Sequence, residues 1–296
     1  MAADAVMSPT ALRIRAAARF ARRLMAHRSF AIGAMLFLVI LSFAALADVI
    51  AGYDPNQSDY AAILVAPGAE HRFGTDGFGR DVLARVLHGA RVSLRIGAMV
   101  VVLTGLAGVL IGTFAAYVPA LDGLFMRTMD GLMAFPGVLL AIALASALGP
   151  SETNVVLALS IAFTPRTARV VRASVLVVKQ LPFVESAVAI GAGHGRIIVR
   201  YILANSLSPL IVQLTFVFAV TVLAEAILSY IGVGPPPPAP SLGNIIAEGR
   251  NAVREAPWIA FFPGVVIAAT VLGLNLMGDG LRDVIDPRLR TVREAG

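Results

Sequence analysis

Long apolar blocks separated by short polar interruptions run through most of this chain. A helix needs roughly 20 apolar residues to cross the hydrocarbon core of a bilayer. Blocks near that length predict membrane-spanning α-helices. We assign such helices to Phe30 to Ala47, Ile96 to Val118, Gly131 to Gly149, Leu207 to Ile231 and Pro257 to Gly278.

A further helix is expected from Asn154 onward, although its sequence is apolar only as far as Thr164. Pro165 follows, and three arginines then recur at three-residue spacing, which places them on one helical face. These are Arg166, Arg169 and Arg172. We interpret the segment as a sixth span whose lower part emerges from lipid. The predicted fold class is therefore all-α, with six transmembrane helices in a polytopic membrane protein.

Composition agrees with this interpretation. Of the 296 residues, 58% are hydrophobic and 14% are charged, which a soluble core of this size cannot hide. The net charge of +6 fits membrane topology better than nucleic-acid binding, because the arginines lie beside apolar spans. The chain has no cysteine, and its four histidines lack metal-ligand spacing. We therefore expect no disulfide, no metal site and no nucleic-acid partner.

The distribution of lysine and arginine predicts the orientation. With the N-terminus inside, 17 of the 24 basic residues fall on the cytoplasmic side, as the positive-inside rule favours. A cleaved signal ending at Ala45 to Ala47 is the alternative, but its basic segment of about 29 residues would be long for a signal peptide. The chain then divides into a basic cytoplasmic segment (1–29), a first span (30–50), an extracytoplasmic loop with an amphipathic helix (51–95), a five-helix core (96–281) that contains the cytoplasmic segment 181–206, and a cytoplasmic tail (282–296).

The amphipathic helix of the outer loop has a recognisable start. Thr75 or Asp76 is a candidate cap for a helix that continues through Leu87, with an Asp81 to Arg85 pair on its polar face. We expect this helix to lie along the outer membrane surface. Its role is either structural or contact with a substrate-delivering protein.

Segment 181–206 contains a second short amphipathic helix. Pro182 suits its first turn, and Gly191 would end it. The helix either fits a groove on a soluble partner or lies on the lipid surface, and periodicity leaves both open. Small and apolar side chains recur along it at the spacing of one helical face, at Val184, Ala187, Val188 and Gly191.

Three polar residues of the late spans are candidates for a substrate path: Glu225, Asn275 and Asp279. Glu225 is the one acid in an otherwise apolar span, and an ionisable group there is a functional candidate. A hydrogen-bonded packing role is the alternative for Glu225. Asp279 lies at the inner end of the last span, where a gate role competes with simple solvent exposure.

Segment 181–206 also resembles a motif of a known family. Glu185-Ser186-Ala187, Gly191 and Ile202-Leu203 are similar to the EAA loop of ABC importer permeases, the element that docks into the nucleotide-binding subunit. Ser186 stands where that pattern usually has alanine, and Ala204 where it usually has proline. Four separate segments are similar to the second permease of dipeptide, oligopeptide and nickel importers: Phe73 to Leu94, Glu225 to Gly232, Pro240 to Asn244 and Gly278 to Arg290.

The resemblance implies a type I ABC importer (MetI-like) core of five helices behind one extra N-terminal helix, in the bacterial inner membrane. It implies a homologous second permease, two ATP-binding subunits and an extracytoplasmic solute-binding protein as partners. The implied cargo is a dipeptide, an oligopeptide, nickel or a related small solute. Coupling to the ATPase would then fall to Glu185, Ser186, Ala187, Gly191, Ile202 and Leu203.

Catalysis is not expected in this chain. Its only lysine, Lys179, stands in no phosphate-binding loop, so we expect ATP and Mg in the partner subunits and no cofactor here. An ion-coupled secondary transporter is the alternative function. It would need coupling groups at mid-membrane and usually a duplicated half, whereas the spans contain one embedded acid and no internal repeat. An intramembrane enzyme would need a catalytic cluster inside the spans, and none is found.

Overall fold

The computed structural model describes residues 9–285, and within that range the chain forms helices and no strand. Ile197–Leu203 is a π-helix, and short 3₁₀ turns lie at Tyr60–Ala62 and Arg250–Ala252. Most of the predicted cytoplasmic tail lies outside the described residues. The helices are α1 (Pro9–Ala26), α2 (Arg28–Ala45), α3 (Ala47–Ile50), α4 (Val82–Tyr117), α5 (Pro119–Met133), α6 (Gly137–Leu148), α7 (Glu152–Lys179), α8 (Pro182–Ala189), α9 (His194–Arg196), α10 (Ala204–Tyr230), α11 (Leu242–Gly249) and α12 (Trp258–Ile285).

Four helical stretches of the described chain are long and apolar enough to cross a membrane. They are α2, α4, α12 and the continuous stretch His194–Tyr230, which joins α9, the π-helix and α10. The bent pair of α5 and α6 makes a fifth if it counts as one span. α7 has 28 residues, or about 42 Å of helix, but carries the three arginines. The all-α transmembrane prediction is confirmed.

The third predicted span is not one continuous helix. It was placed at Gly131 to Gly149, but α5 ends at Met133, α6 begins at Gly137, and the two axes meet at 88°. Pro136, which stands in the break, lacks an N–H and its ring obstructs the preceding turn. α6 alone has 12 residues, about 18 Å, which is well short of a bilayer core.

The second span begins earlier than predicted. One helix of 36 residues runs from Val82, so the amphipathic stretch is the outer extension of α4 and not a separate surface helix. Asp81 is its N-cap, accepting a hydrogen bond of 2.7 Å from the Ala84 backbone N–H. The predicted Asp81 to Arg85 pair is wrong, because Asp81 contacts His71 at 2.9 Å and Arg85 contacts Asp76 and Glu248.

Close packing between α4 and α7 holds the centre of the bundle. A Cβ atom added at Gly108 would lie 2.6 Å from Thr167 Cγ2, and one added at Gly112 would meet the Ala168 carbonyl oxygen. The absence of a side chain at both positions therefore lets the two backbones approach. The first span packs in the same way on the last, where Gly33 faces the backbone of α12.

The connecting segments collect at opposite ends of the bundle. At one end, Arg91 near the start of α4 donates a hydrogen bond of 2.9 Å to the Ala44 carbonyl at the end of α2. At the other end, the Tyr117 hydroxyl lies 2.6 Å from His194 Nδ1, beside segment 181–206. The predicted outer loops and the predicted coupling segment are thus about 50 Å of helix apart along α4.

Candidate coupling segment and transport path

The short helix α8 has the boundaries that local chemistry predicts. Pro182 occupies its first turn, where the missing N–H has no helical partner. Beyond its end, Gly191 has a φ of +77°, the left-handed conformation that favours glycine. The Gly191 N–H donates to the Val188 carbonyl at 2.9 Å, and the Ala192 N–H donates to the Ala187 carbonyl at 3.0 Å. This is the Schellman pattern, and it confirms that Gly191 ends the helix.

One face of α8 is anchored to the rest of the chain. Val184 lies in a buried cluster with Val175 and Val178 of α7 and with Ile197 and Ile202 of the π-helix. The predicted contact stripe is therefore wrong in part, because Val184 and Ala187 are buried against this chain and are not available to a partner. Burial of this face makes α8 a rigid continuation of the helices on either side of it.

The opposite face of α8 is open. Glu185 and Ser186 are exposed, and Ser186 Oγ donates to the Pro182 carbonyl at 2.8 Å. Val188 is 57% exposed and Ile190 is 83% exposed. Large apolar side chains at the tip of a connecting segment lie beyond the helices that lipid would cover, so their exposure favours a protein partner.

The segment after α8 returns to the bundle through the π-helix. Ile202 is buried and Leu203 is half-buried, so these two predicted coupling residues act inside the fold. Ala204, which occupies the position where proline was expected, begins α10 without a break in the helix. The Ser206 hydroxyl donates to the Ile202 carbonyl at 3.0 Å and thereby satisfies one carbonyl of the π segment.

Two ion pairs attach α5 to the lower half of α7. The Arg172 guanidinium donates two hydrogen bonds of 2.6 Å to the Asp122 carboxylate. Arg169 pairs with Asp130 one turn nearer the centre of α7. Two of the three arginines that the sequence placed on one face therefore hold α5, and the carboxylates that they bind come from another helix.

The third arginine lines a cavity. A space of about 320 Å³ lies beside the break between α5 and α6, bounded by α7 and α10. Arg166 and Gln213 are its hydrogen-bonding side chains, and the remaining lining is apolar. Sequence reasoning did not single out Gln213, because a lone glutamine in an apolar helix has no distinctive spacing. Arg166 was identified only as a member of the arginine face, and α7 continues through Pro165 without a break.

The three predicted path residues do not meet. Glu225 is fully buried in α10, and its carboxylate accepts hydrogen bonds of 2.6 Å from Ser93 and from Ser229. Asn275 is half-buried and Asp279 is exposed, both on α12 towards the opposite end of the bundle. Glu225 does not line the 320 Å³ cavity. No cluster of three metal-ligating side chains occurs in the part of the chain that the structure describes.

Comparison with solved structures shows a related fold. A crystal structure of an amino acid ABC transporter with histidines matches 69% of this chain and 94% of that chain, with a TM-score of 0.51 at 19% identity.

Comparison with sequences is more specific. A Brucella abortus protein described as a peptide transport system permease is 52% identical over 270 residues, 91% of each chain. The di/tripeptide transport system permease protein DppC of Pseudomonas aeruginosa is 40% identical over 90% of each chain. The dipeptide transport system permease protein DppC of Alkalihalophilus pseudofirmus is 40% identical over 86% of this chain and 83% of that protein.

Two family profiles match separate parts of the sequence. Residues 17–67 match the N-terminal transmembrane domain of oligopeptide transport permease C. Residues 108–291 match the binding-protein-dependent transport system inner membrane component. The second match spans more than half of the chain and includes α8 and the cavity. The chain therefore belongs to the family of binding-protein-dependent transport system inner membrane components, the permease subunits of ABC transporters.

Proposed function

We propose that this chain imports di- or oligopeptides across the bacterial inner membrane as one permease of an ATP-driven, binding-protein-dependent complex. The relatives that match it over most of its length carry names of peptide, dipeptide and di/tripeptide permeases. The N-terminus, the C-terminus and α8 face the cytoplasm in this proposal, in agreement with the excess of arginine at that end. Nickel, which the sequence left open as cargo, has no counterpart in these names.

The observation that carries the proposal is the two-sided character of α8. Val184 and Ala187 fasten it to its own bundle, whereas Val188 and Ile190 project from it. A helix that is rigidly held on one face, with exposed apolar side chains at the edges of that face, can both bind a partner and transmit the partner's movement. We assign the partner as an ATP-binding subunit, with Glu185 and Ser186 at the contact.

The rest of the assembly follows from the family. A homologous second permease would complete the membrane pore, two ATP-binding subunits would hold ATP and Mg, and an extracytoplasmic binding protein would deliver the substrate. This chain supplies no catalytic residue in the proposal. Family membership also leaves the ion-coupled secondary transporter without support.

The mechanism is a population shift between two orientations of the bundle. Closure of the ATP-binding subunits displaces α8, and the cluster around Val184 and Ile202 passes that displacement to α7 and α10. Since those two helices border the 320 Å³ cavity, their movement alters access to it. Glu225 serves in this scheme as a packing residue, while Asn275 and Asp279 remain candidates for the path.

The test changes the exposed face of α8 without touching its anchor. Ile190→Asp places a charge on the most exposed apolar side chain of this segment, and Ile190→Val is the matched control. We expect the charged variant to insert normally, to lose co-purifying ATP-binding subunits and to lose ATP-dependent uptake of a radiolabelled dipeptide in membrane vesicles. Wild-type uptake by Ile190→Asp, with the ATP-binding subunits still attached, would refute the assignment of α8.

A further inference from the structure

The cavity beside the α5–α6 break contains polar groups that the chain leaves without partners. Within the described residues, the Arg166 guanidinium makes neither an ion pair nor a hydrogen bond, and the Gln213 amide makes no hydrogen bond. The two arginines that follow on the same face differ, because Arg169 and Arg172 are each paired with a carboxylate of α5. Arg166 is therefore not needed to hold α5 in place.

Arg166 lies where the apolar part of α7 ends, and Gln213 lies in the first half of α10. Arg166 is at the midpoint of Glu152–Lys179, about 20 Å of helix from either end. Gln213 is six residues beyond Leu207, where the predicted span begins, so it lies on the cytoplasmic side of the middle of α10. Arg166 is exposed in this chain, and a charged side chain beside apolar spans is costly unless it faces water, a counter-charge or a ligand.

The other lining residues define what such a ligand is. The side chains of Phe135, Phe163 and Phe216 contribute an apolar wall, and the lining includes no aspartate or glutamate. The cavity therefore has a positive potential and accepts an apolar body that carries a negative group. Guanidinium and amide N–H groups are matched to a carboxylate, which accepts hydrogen bonds only.

We propose that Arg166 and Gln213 form a carboxylate-recognition point in the transport path. The Arg166 guanidinium binds the free carboxylate of a passing peptide, the Gln213 amide donates a second hydrogen bond to it, and the phenylalanine wall contacts the peptide's side chains. This inference rests on the proposed importer function, and it identifies the free carboxylate as the part of the peptide that the permease itself recognises. A metal cation is the wrong cargo for a site of this charge.

Accessibility labelling tests the potential of the cavity without measuring transport. Because the natural chain has no cysteine, Gln213→Cys gives the complete complex one thiol in this subunit. We expect a sulfonated, anionic methanethiosulfonate reagent to modify it roughly tenfold faster than a cationic aminoethyl reagent, and Arg166→Met to abolish that preference. Ile32→Cys on α2 is the control, for which Arg166→Met should change nothing. Equal rates with both reagents, or no labelling because the partner permease fills the cavity, would overturn the proposal.

Uptake by the reconstituted complex and its binding protein tests recognition of the substrate. Arg166→Met should lower the maximal rate of uptake of a radiolabelled dipeptide about tenfold, the loss expected for one charge-assisted hydrogen bond. Arg166→Lys should retain part of the rate, and Arg22→Met on the exposed face of α1 should retain all of it. Unchanged uptake by Arg166→Met would refute the site. Dissociation of the second permease from Arg166→Met would overturn it by showing that Arg166 pairs with a carboxylate of that subunit.

Failure of the proposed function has a different signature. If the unmodified complex imports no dipeptide at all, the cargo assignment and the peptide-recognition role both fall. If the unmodified complex imports dipeptide and the Arg166 variants do so at the same rate, the recognition point alone is wrong and the importer function stands.

Discussion

Ser93 of α4 donates a hydrogen bond of 2.6 Å to the carboxylate of Glu225 on α10. The other carboxylate oxygen accepts a hydrogen bond of equal length from Ser229. Glu225, the one acid in the apolar helix α10, is therefore fully partnered inside the bundle, and it joins two helices through residues that are 132 positions apart in sequence. This arrangement explains why the side chain is tolerated with no exposure to water or lipid.

Replacement of Glu225 should reveal a structural role. Glu225→Ala leaves two buried hydroxyls without an acceptor and opens a cavity, so we expect a loss of about 2 to 4 kcal/mol in the free energy of unfolding. Glu225→Gln keeps an acceptor oxygen and should lose about 1 kcal/mol. The measurement is the midpoint of thermal unfolding of the purified complex. A Glu225→Gln protein of normal stability that no longer imports dipeptide would instead support the path role.

The position of α5 should depend on the Asp122 to Arg172 pair. Both side chains are about one-third exposed, so loss of the pair in Asp122→Asn should cost no more than about 1 kcal/mol. Charge reversal in Asp122→Lys adds repulsion between like charges and should lower the unfolding midpoint further. The double variant Asp122→Lys with Arg172→Asp should recover most of the loss. If the double variant is as unstable as the two single changes combined, α5 is held by other contacts.

The effect of substituting Gly191 should depend on the backbone conformation that the new residue tolerates and not on the size of its side chain. A Cβ atom at this position meets nothing within 4 Å, but the φ of +77° disfavours any residue other than glycine. We expect Gly191→Ala to destabilise the end of α8 by about 1 kcal/mol and Gly191→Asn to cost less, since asparagine tolerates this conformation. Both the unfolding midpoint and dipeptide uptake should follow the order glycine, asparagine, alanine. The reverse order would mean that the residue contacts a partner through its side chain.

The stability of the outer end of the bundle should depend on Arg85. Its side chain is 2% exposed and contacts Glu248 at 3.0 Å, which connects the start of α4 to α11. Arg85→Met leaves Asp76 and Glu248 to share the single guanidinium of Arg80, and we expect it to cost about 3 kcal/mol. Glu248→Gln is the milder change because Arg85 keeps Asp76 at 3.5 Å. The midpoint of thermal unfolding should be lower for Arg85→Met than for Glu248→Gln. Equal midpoints would contradict this prediction.

The local features of this protein were predictable because they depend on neighbours in sequence. Apolar block length identified the helices, proline identified the start of α8, and the left-handed Gly191 identified its end. The break at Pro136 shows the limit of the same reasoning. An apolar composition continues across the break, so hydropathy alone reads one span where the backbone makes two helices.

Contacts between distant residues were not predictable in the same way. Three arginines of identical type and regular spacing look equivalent in sequence, yet two face carboxylates of α5 and the third faces a cavity. Periodicity states which residues share a face of a helix, but it does not state what that face meets. The same limit explains why half of the predicted α8 stripe is buried against the chain's own helices.

By itself, the sequence determined that this protein is a bundle of membrane-spanning helices with a short amphipathic helix between two of them, because helix length and helix ends follow from side chains within a few turns. Only the tertiary structure decided that Glu225 is satisfied by packing, that Arg166 is left without a partner beside Gln213, and that Ile190 and not Val184 faces outward. Those outcomes depend on which helix faces become neighbours, and that choice results from the fit of whole surfaces across more than a hundred residues of chain.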